Sequence, residues 1–111
     1  MNIVYEYSHL EGSEILQVRY PRHWQDIHDA IAGVVAEKTK ISREKTMRGK
    51  RLYSPIDMNS QFKAAFSSRG YSELRATYTV SIPDSDATVT GAYKQIDYVK
   101  DKVLVEVQFG K

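Results

Sequence analysis

The sequence predicts an α/β protein, because helical and strand patterns both occur along its 111 residues. An apolar stripe with helical spacing follows Pro21, an alternating strand pattern covers 73–81, and a valine-rich strand occupies 103–107. A chain of this length holds one modest core. We therefore expect a single domain over 1–111, which is an incomplete domain if the chain is part of a longer protein.

The N-terminal half is predicted to contain a strand at 3–7 and a helix that begins at Pro21. The intervening segment 14–20 fits either a strand or a helix. In the helix, apolar residues recur at steps of three and four, as expected for a face turned to the core or to a dimer interface. These residues are Trp24, Ile27, Ile31, Val34 and Val35.

The C-terminal half is predicted to start with a short helix from Asn59 to Arg69, capped by Asn59 or Asp57 and stopped by Gly70. A strand follows at 73–81, where apolar and polar residues alternate. Turn-forming residues then fill 83–88. The last fifteen residues are predicted to form a hairpin.

Two polar residues, Glu106 and Gln108, interrupt the valine-rich C-terminal strand. Side chains alternate along a strand, so both point to the same face. Burying a carboxylate beside an amide is costly unless something compensates, and a divalent cation would do so. This pattern therefore indicates a metal site.

A second carboxylate, Asp97, lies nine residues before Glu106, with the polar break 100–102 between them. If the loop has an even number of residues, for example 100–101, Asp97 lies opposite Leu104 and shares the face of Glu106. An odd loop turns it away. A surface hairpin with an incidental aspartate explains the same spacing.

Basic residues are concentrated between Lys38 and Arg51, where seven of the sixteen lysines and arginines fall, although the net charge is only +2. Such a segment can neutralise phosphates, and Arg48, Lys50 and Arg51 are its candidate DNA contacts. A solvated loop after a helix is the alternative.

Other features exclude several classes of protein. The chain has no cysteine, so it forms no disulfide or thiolate zinc site, and its three histidines lack a metal-binding spacing. No apolar stretch approaches the roughly 20 residues of a membrane span, and no signal peptide is recognisable. We expect a cytoplasmic protein that does not enter a membrane.

Four segments together resemble the type II restriction endonucleases of the BglII and BstYI kind, a branch of the PD-(D/E)XK nucleases. They are 7–12 (YSHLEG), 21–24 (PRHW), 52–55 (LYSP) and 97–111, in the same order as in that family. Ile96 replaces the proline of the general superfamily motif, and Gln108 replaces its lysine. Both replacements also occur in the BglII-like branch.

The resemblance implies the N-terminal part of a PD-(D/E)XK core, with a central mixed β-sheet flanked by helices. It implies a site-specific deoxyribonuclease that hydrolyses double-stranded DNA with Mg2+. Asp97, Glu106 and the backbone carbonyl of Val107 would bind the metal, and Gln108 would hold the attacking water. Glu73 lies where the family often has another polar group near the metal, although a solvent-facing acid at a strand start is the more ordinary explanation of this residue.

The resemblance also implies a homodimer that cuts a palindrome containing GATC, with RGATCY as the leading expectation. Lys111 follows the active-site strand, where it would contact a guanine edge, a phosphate or solvent. Two alternatives remain open: a structure-specific nuclease of the same superfamily, and a non-catalytic DNA-binding module.

Overall fold

A computed structural model describes residues 1–38, 40–45 and 48–109. In this part of the chain there are three helices and five strands: α1 Gly12–Arg19, α2 Pro21–Gly33, β1 Lys40–Ile41, β2 Arg51–Leu52, α3 Pro55–Ser67, β3 Ser72–Ser81, β4 Thr88–Lys100 and β5 Val103–Val105. The α/β class is confirmed.

The chain divides into two compact units, Met1–Arg69 and Gly70–Gln108. The first contains the helices and the short antiparallel pair β1–β2, and the second contains the antiparallel sheet β3–β4–β5. All strand pairs in the described residues are antiparallel. The prediction of a central mixed sheet is therefore wrong for this part of the chain, whereas the expectation of a single domain stays a prediction.

The first unit is built on α2 and α3. Ala30 and Val34 are buried at the end of α2, and the buried residues of α3 are Met58, Phe62 and Phe66. The Gln61 side chain also joins the two segments, since its amide donates to the Val35 carbonyl and accepts from the Val35 N–H, each at 2.8 Å. Within the predicted stripe of α2 only Val34 is buried; Trp24, Ile27 and Ile31 are half-buried, and the Val35 side chain is 56% exposed.

Helix α3 starts four residues earlier than predicted. The Ser54 side chain caps it by accepting a hydrogen bond from the Asp57 N–H at 3.2 Å, and Pro55 occupies its first turn. Serine at the cap followed by proline is a strong helix start, because proline has no N–H to leave unpaired. Neither Asn59 nor Asp57 is the cap. Gly70 follows the helix at φ +90, as its predicted role as a stop requires.

The predicted strand at 3–7 is absent from the structure, so this prediction is wrong. Residues 1–8 have no regular secondary structure, and Val4 is 96% exposed. A strand requires a partner for its backbone groups, and none of the described strands pairs with this segment. The ambiguous segment 14–20 lies mostly in α1.

The second unit is a long hairpin of β3 and β4 extended by β5. Strand β3 confirms the prediction at 73–81 within one residue, and residues 82–87 connect it to β4. Every residue of β3 is exposed in this chain, although its pattern predicted one buried face. None of the helices in the described ranges has the length and apolar character that a membrane crossing demands.

Candidate active site

The predicted C-terminal hairpin is formed by β4 and β5. Lys100 pairs with Val103, Val99 with Leu104 and Tyr98 with Val105, so the turn consists of Asp101 and Lys102. Asp101 has a φ of 54, a left-handed conformation that aspartate tolerates. The connection has an even number of residues, which is the alternative that lets Asp97 share the face of Glu106, but the turn is not at 100–101. This register continued by one pair places Asp97 opposite Glu106 and not opposite Leu104.

A hydrogen bond closes the open end of this hairpin. The backbone N–H of Val107 donates to Oδ2 of Asp97 at 3.0 Å. Strand β5 ends at Val105, so this side-chain acceptor takes a backbone donor that no longer has a strand partner. The half-buried carboxylate of Asp97 is therefore held beside the Glu106–Val107 segment.

A β-bulge in β4 falls on Asp97 itself. Ser72 pairs with Val99 and Leu74 with Ile96, so the two residues Asp97 and Tyr98 face the single residue Glu73. A bulge interrupts the strict alternation of side chains and redirects them. The orientation of Asp97 is consequently set by the bulge and by its bond to Val107, and not by strand parity alone.

The candidate site residues differ in exposure. Asp97 is half-buried, whereas Glu106 and Gln108 are exposed and follow the end of β5. The prediction that Glu106 and Gln108 occupy a buried strand is therefore wrong for this chain. Glu73, at the second position of β3, is also exposed, and its Oε1 accepts a hydrogen bond from Nε2 of Gln95.

The pKa of Tyr98 is affected by its surroundings at the bulge. Burial is the largest cause that raises the pKa of its hydroxyl above the ordinary value of 10.0, and the charges of Asp97 and Glu73 raise it further. The charges of Asp97 and Glu73 thus act on the same hydroxyl at the bulge. This electrostatic environment attracts cations.

The donor set fits magnesium better than zinc. Among residues 1–38, 40–45 and 48–109, no three or more His, Cys, Asp or Glu side chains lie together in a way that could hold a metal. Zinc sites usually need three or four such ligands, whereas Mg2+ keeps several waters and binds through one or two carboxylates. Asp97 and Glu106, with hard oxygen donors, can supply that smaller set.

The basic segment forms an ordered hairpin in its described part, where a loop was predicted. Ile41 pairs with Arg51, and the buried Ser42 bonds through its N–H to the Lys50 carbonyl at 2.8 Å and through its carbonyl to the Gly49 N–H at 3.0 Å. Arg48, Lys50 and Arg51 are all exposed. We call the described residues 38, 40–45 and 48–53 the basic hairpin; the candidate DNA contact Lys111 lies outside the described residues.

Sequence reasoning missed two features near Asp97. Neither the bulge nor the role of Tyr98 has a local signal, because the bulge depends on the pairing of β4 with β3. It also missed the contact of Arg75 with Tyr93, whose guanidinium carbon lies 4.0 Å from the ring centroid. The alternation of β3 placed Arg75 on the Glu73 face, but only the strand register identifies its partner.

Comparison with known proteins agrees with the resemblance that these residues carry. No curated protein matches the chain. The family model described as restriction endonuclease BglII/BglIII matches residues 4–111, which is nearly the whole sequence. This chain belongs to the BglII/BglIII family of restriction endonucleases.

Proposed function

We propose that the protein is a Mg2+-dependent type II restriction endonuclease that hydrolyses a phosphodiester bond in each strand of double-stranded DNA. Membership of the BglII/BglIII family supports a restriction endonuclease with DNA as its partner. The metal, the site residues and the recognition sequence are our proposals.

The observation that carries this proposal is the hydrogen bond from the Val107 N–H to Asp97. It brings a half-buried carboxylate beside the segment that contains Glu106 and the Val107 carbonyl. In this proposal the oxygens of Asp97, Glu106 and Val107 bind the ion. When bound, Mg2+ lowers the pKa of water and offsets the negative charge that develops on the phosphate.

Gln108 has the complementary role of orienting the attacking water. Its amide offers both a donor and an acceptor, and its exposed position at the end of the hairpin leaves it accessible to substrate. A glutamine cannot accept a proton near neutral pH. The proton of the attacking water therefore leaves to other water or to the substrate phosphate. Glu73, opposite Asp97 at the bulge, is proposed as an additional group of the active site.

The basic hairpin is the proposed contact to the DNA backbone. Arg48, Lys50 and Arg51 are exposed there, and each can neutralise a phosphate. Lys111 is proposed to reach a guanine edge or a phosphate just beyond the active-site segment. The proposed recognition site is a GATC-containing palindrome, with RGATCY as the first choice, read by a homodimer.

Digestion of plasmid DNA by the full protein in Mg2+, followed by mapping of the cut ends, tests this function. We expect discrete fragments whose ends all contain GATC, and no cleavage when EDTA removes the metal. Discrete ends without GATC would overturn the recognition sequence only. Nicks that depend on DNA structure would indicate the structure-specific alternative, and binding without cleavage the non-catalytic one.

A further inference from the structure

One face of the β3–β4 hairpin carries polar residues that lead away from the bulge. Glu73 and Arg75 lie on this face because they are two residues apart in β3, and Arg75 pairs with Gln95. Two contacts confirm the shared face: Gln95 donates to Glu73, and Arg75 contacts Tyr93. The opposite face includes the pairs Leu74 with Ile96 and Ala76 with Lys94, and it is largely apolar apart from Lys94.

Arg75 lies close to the candidate active site along the strand. It lies two positions after Glu73 in β3, a distance of about 7 Å at the usual rise of a strand. Glu73 in turn faces Asp97 and Tyr98 across the bulge. A positive charge thus lies next along β3 to Glu73, the proposed additional group of the active site.

The guanidinium of Arg75 is held in place. Its central carbon lies 4.0 Å from the centroid of the Tyr93 ring, well within the range of a cation–π contact. The N–H donors of arginine lie in the plane of the guanidinium, so contact of that plane with a ring leaves its edge able to donate. Glu73, the one acid of β3, is engaged by Gln95.

We propose that Arg75, oriented by Tyr93, contacts a backbone phosphate of the DNA beside the phosphate that is cut. Planar arginine donors match phosphate oxygens, and an arginine already held on a ring loses less conformational freedom on binding. Arg75 is thereby a positioning residue for substrate. This inference rests on the proposed nuclease function. The competing explanation is a purely structural contact that stabilises the hairpin.

The experiment compares single variants of the full protein for DNA binding in Ca2+ over a range of salt concentrations and for cleavage in Mg2+. Arg75→Ala removes the cation, and Lys94→Ala is its matched control. Lys94 is an exposed cation of the paired strand that lies on the other face, so both variants change the net charge equally. Tyr93→Leu removes the ring, and Tyr93→Phe keeps it.

We expect Arg75→Ala to weaken DNA binding about tenfold, as for one charge-assisted contact, and to reduce the salt slope by about 0.9. Tyr93→Leu should show part of this loss, while Tyr93→Phe and Lys94→Ala should bind like the wild type. Thermal unfolding of each variant identifies any general loss of structure.

Suppose that the wild type cuts DNA and that Arg75→Ala and Lys94→Ala bind DNA equally well with equal salt slopes. This result would overturn the inference and leave the proposed function intact. A lower melting temperature of Arg75→Ala with an unchanged salt slope would also overturn it, in favour of the structural contact. A wild-type protein that neither binds nor cuts DNA would instead contradict the proposed function itself.

Discussion

The position of Asp97 depends both on its place in the C-terminal hairpin and on the pairing of β4 with β3. On one side it belongs to the bulge that faces Glu73, and on the other its carboxylate accepts the Val107 N–H at 3.0 Å. A side chain held by a hydrogen bond keeps a narrower range of orientations than an exposed one. For this reason Asp97 is the oriented member of the proposed metal site, and Glu106 is its exposed member.

At the residue scale, Glu106→Ala should abolish cleavage and leave DNA binding intact. Losing one of two carboxylates removes about 4 kcal/mol or more of transition-state stabilisation, which corresponds to at least about a thousandfold in rate. The protein should remain folded because Glu106 is exposed. A Mg2+ titration of cleavage, run beside a gel shift in Ca2+, measures both effects.

Asp86→Ala is the matched control for Glu106→Ala, because it removes an exposed carboxylate from the loop before β4. It should cut like the wild type. Asp97→Asn should lose cleavage as Glu106→Ala does, whereas Gln108→Glu should keep partial activity because it adds a metal ligand. Near wild-type cleavage by Glu106→Ala would refute the metal site.

Also at the residue scale, the free energy of unfolding should fall at alkaline pH because the contribution of protonated Tyr98 is lost there. Burial and the charges of Asp97 and Glu73 raise its pKa, so the folded protein holds this proton more tightly than the unfolded chain. Its contribution is fully present below pH 10.0 and is lost as the pH rises from there through the raised pKa. Tyr98→Phe should flatten this alkaline decline.

Denaturant unfolding between about pH 9 and pH 11 measures the effect of Tyr98, since the linkage acts around its ordinary pKa. Tyr78→Phe is the control, because Tyr78 is an exposed tyrosine of β3 at a distance from the bulge. If the free energy of unfolding falls with pH in the same way for Tyr98→Phe and Tyr78→Phe, the carboxylates do not act on Tyr98.

At the element scale, the basic hairpin combines an ordered backbone with exposed charge. Ser42, which is 3% exposed, closes its loop, and Nζ of Lys38 lies 5.4 Å from the centroid of the Tyr53 ring. Strand pairing holds the described backbone of this hairpin, and Arg48, Lys50 and Arg51 are exposed on it. It can therefore offer several positive charges to the phosphates of DNA.

Replacing Arg48, Lys50 and Arg51 together by alanine should weaken binding to all DNA sequences alike. Each lost phosphate contact lowers the salt slope by about 0.9, so the triple variant should lose up to about 2.7, while sequence preference survives. Binding titrations at several salt concentrations, on a GATC site and on unrelated DNA, measure this.

The control for the basic hairpin is Arg22, Lys63 and Lys94 replaced together by alanine, which makes the same change in net charge from exposed positions outside the hairpin. An unchanged salt slope in the hairpin variant, or an equal decrease of the salt slope in the control, would show that the basic hairpin is a solvated surface and not a DNA contact. A change confined to GATC-containing DNA would instead indicate base contacts.

At the scale of the whole molecule, a palindromic site calls for a protein with twofold symmetry, because each half-site then meets the same surface. We expect a homodimer in which each copy cuts one strand. Mixing wild-type protein with an excess of Glu106→Ala after subunit exchange should then convert double-strand cuts into single-strand nicks. Agarose gels of a supercoiled plasmid separate the two products, and sedimentation measures the mass; a monomer that still makes double-strand cuts would contradict the dimer.

The local patterns of the sequence determined the start of α2, strand β3, the presence of a C-terminal hairpin and the family. They left the position of the hairpin turn open. These features depend on residues close together in the chain, where the periods of helix and strand act directly. The start of α3 is also a local feature, because Ser54 followed by Pro55 is a favourable helix start. The predicted start at Asn59 was therefore wrong although the local sequence contains the correct one.

Only the tertiary structure decided what surrounds Asp97. The bulge depends on the register of β4 against β3, and the contact that fixes Glu73 joins it to Gln95, 22 residues away. The end of β5 at Val105 and the exposure of Glu106 likewise depend on which backbone groups find partners. A sequence records the alternation within a strand, but the shift of one strand against another is set by pairing energies summed over both, and this shift orients the proposed catalytic aspartate.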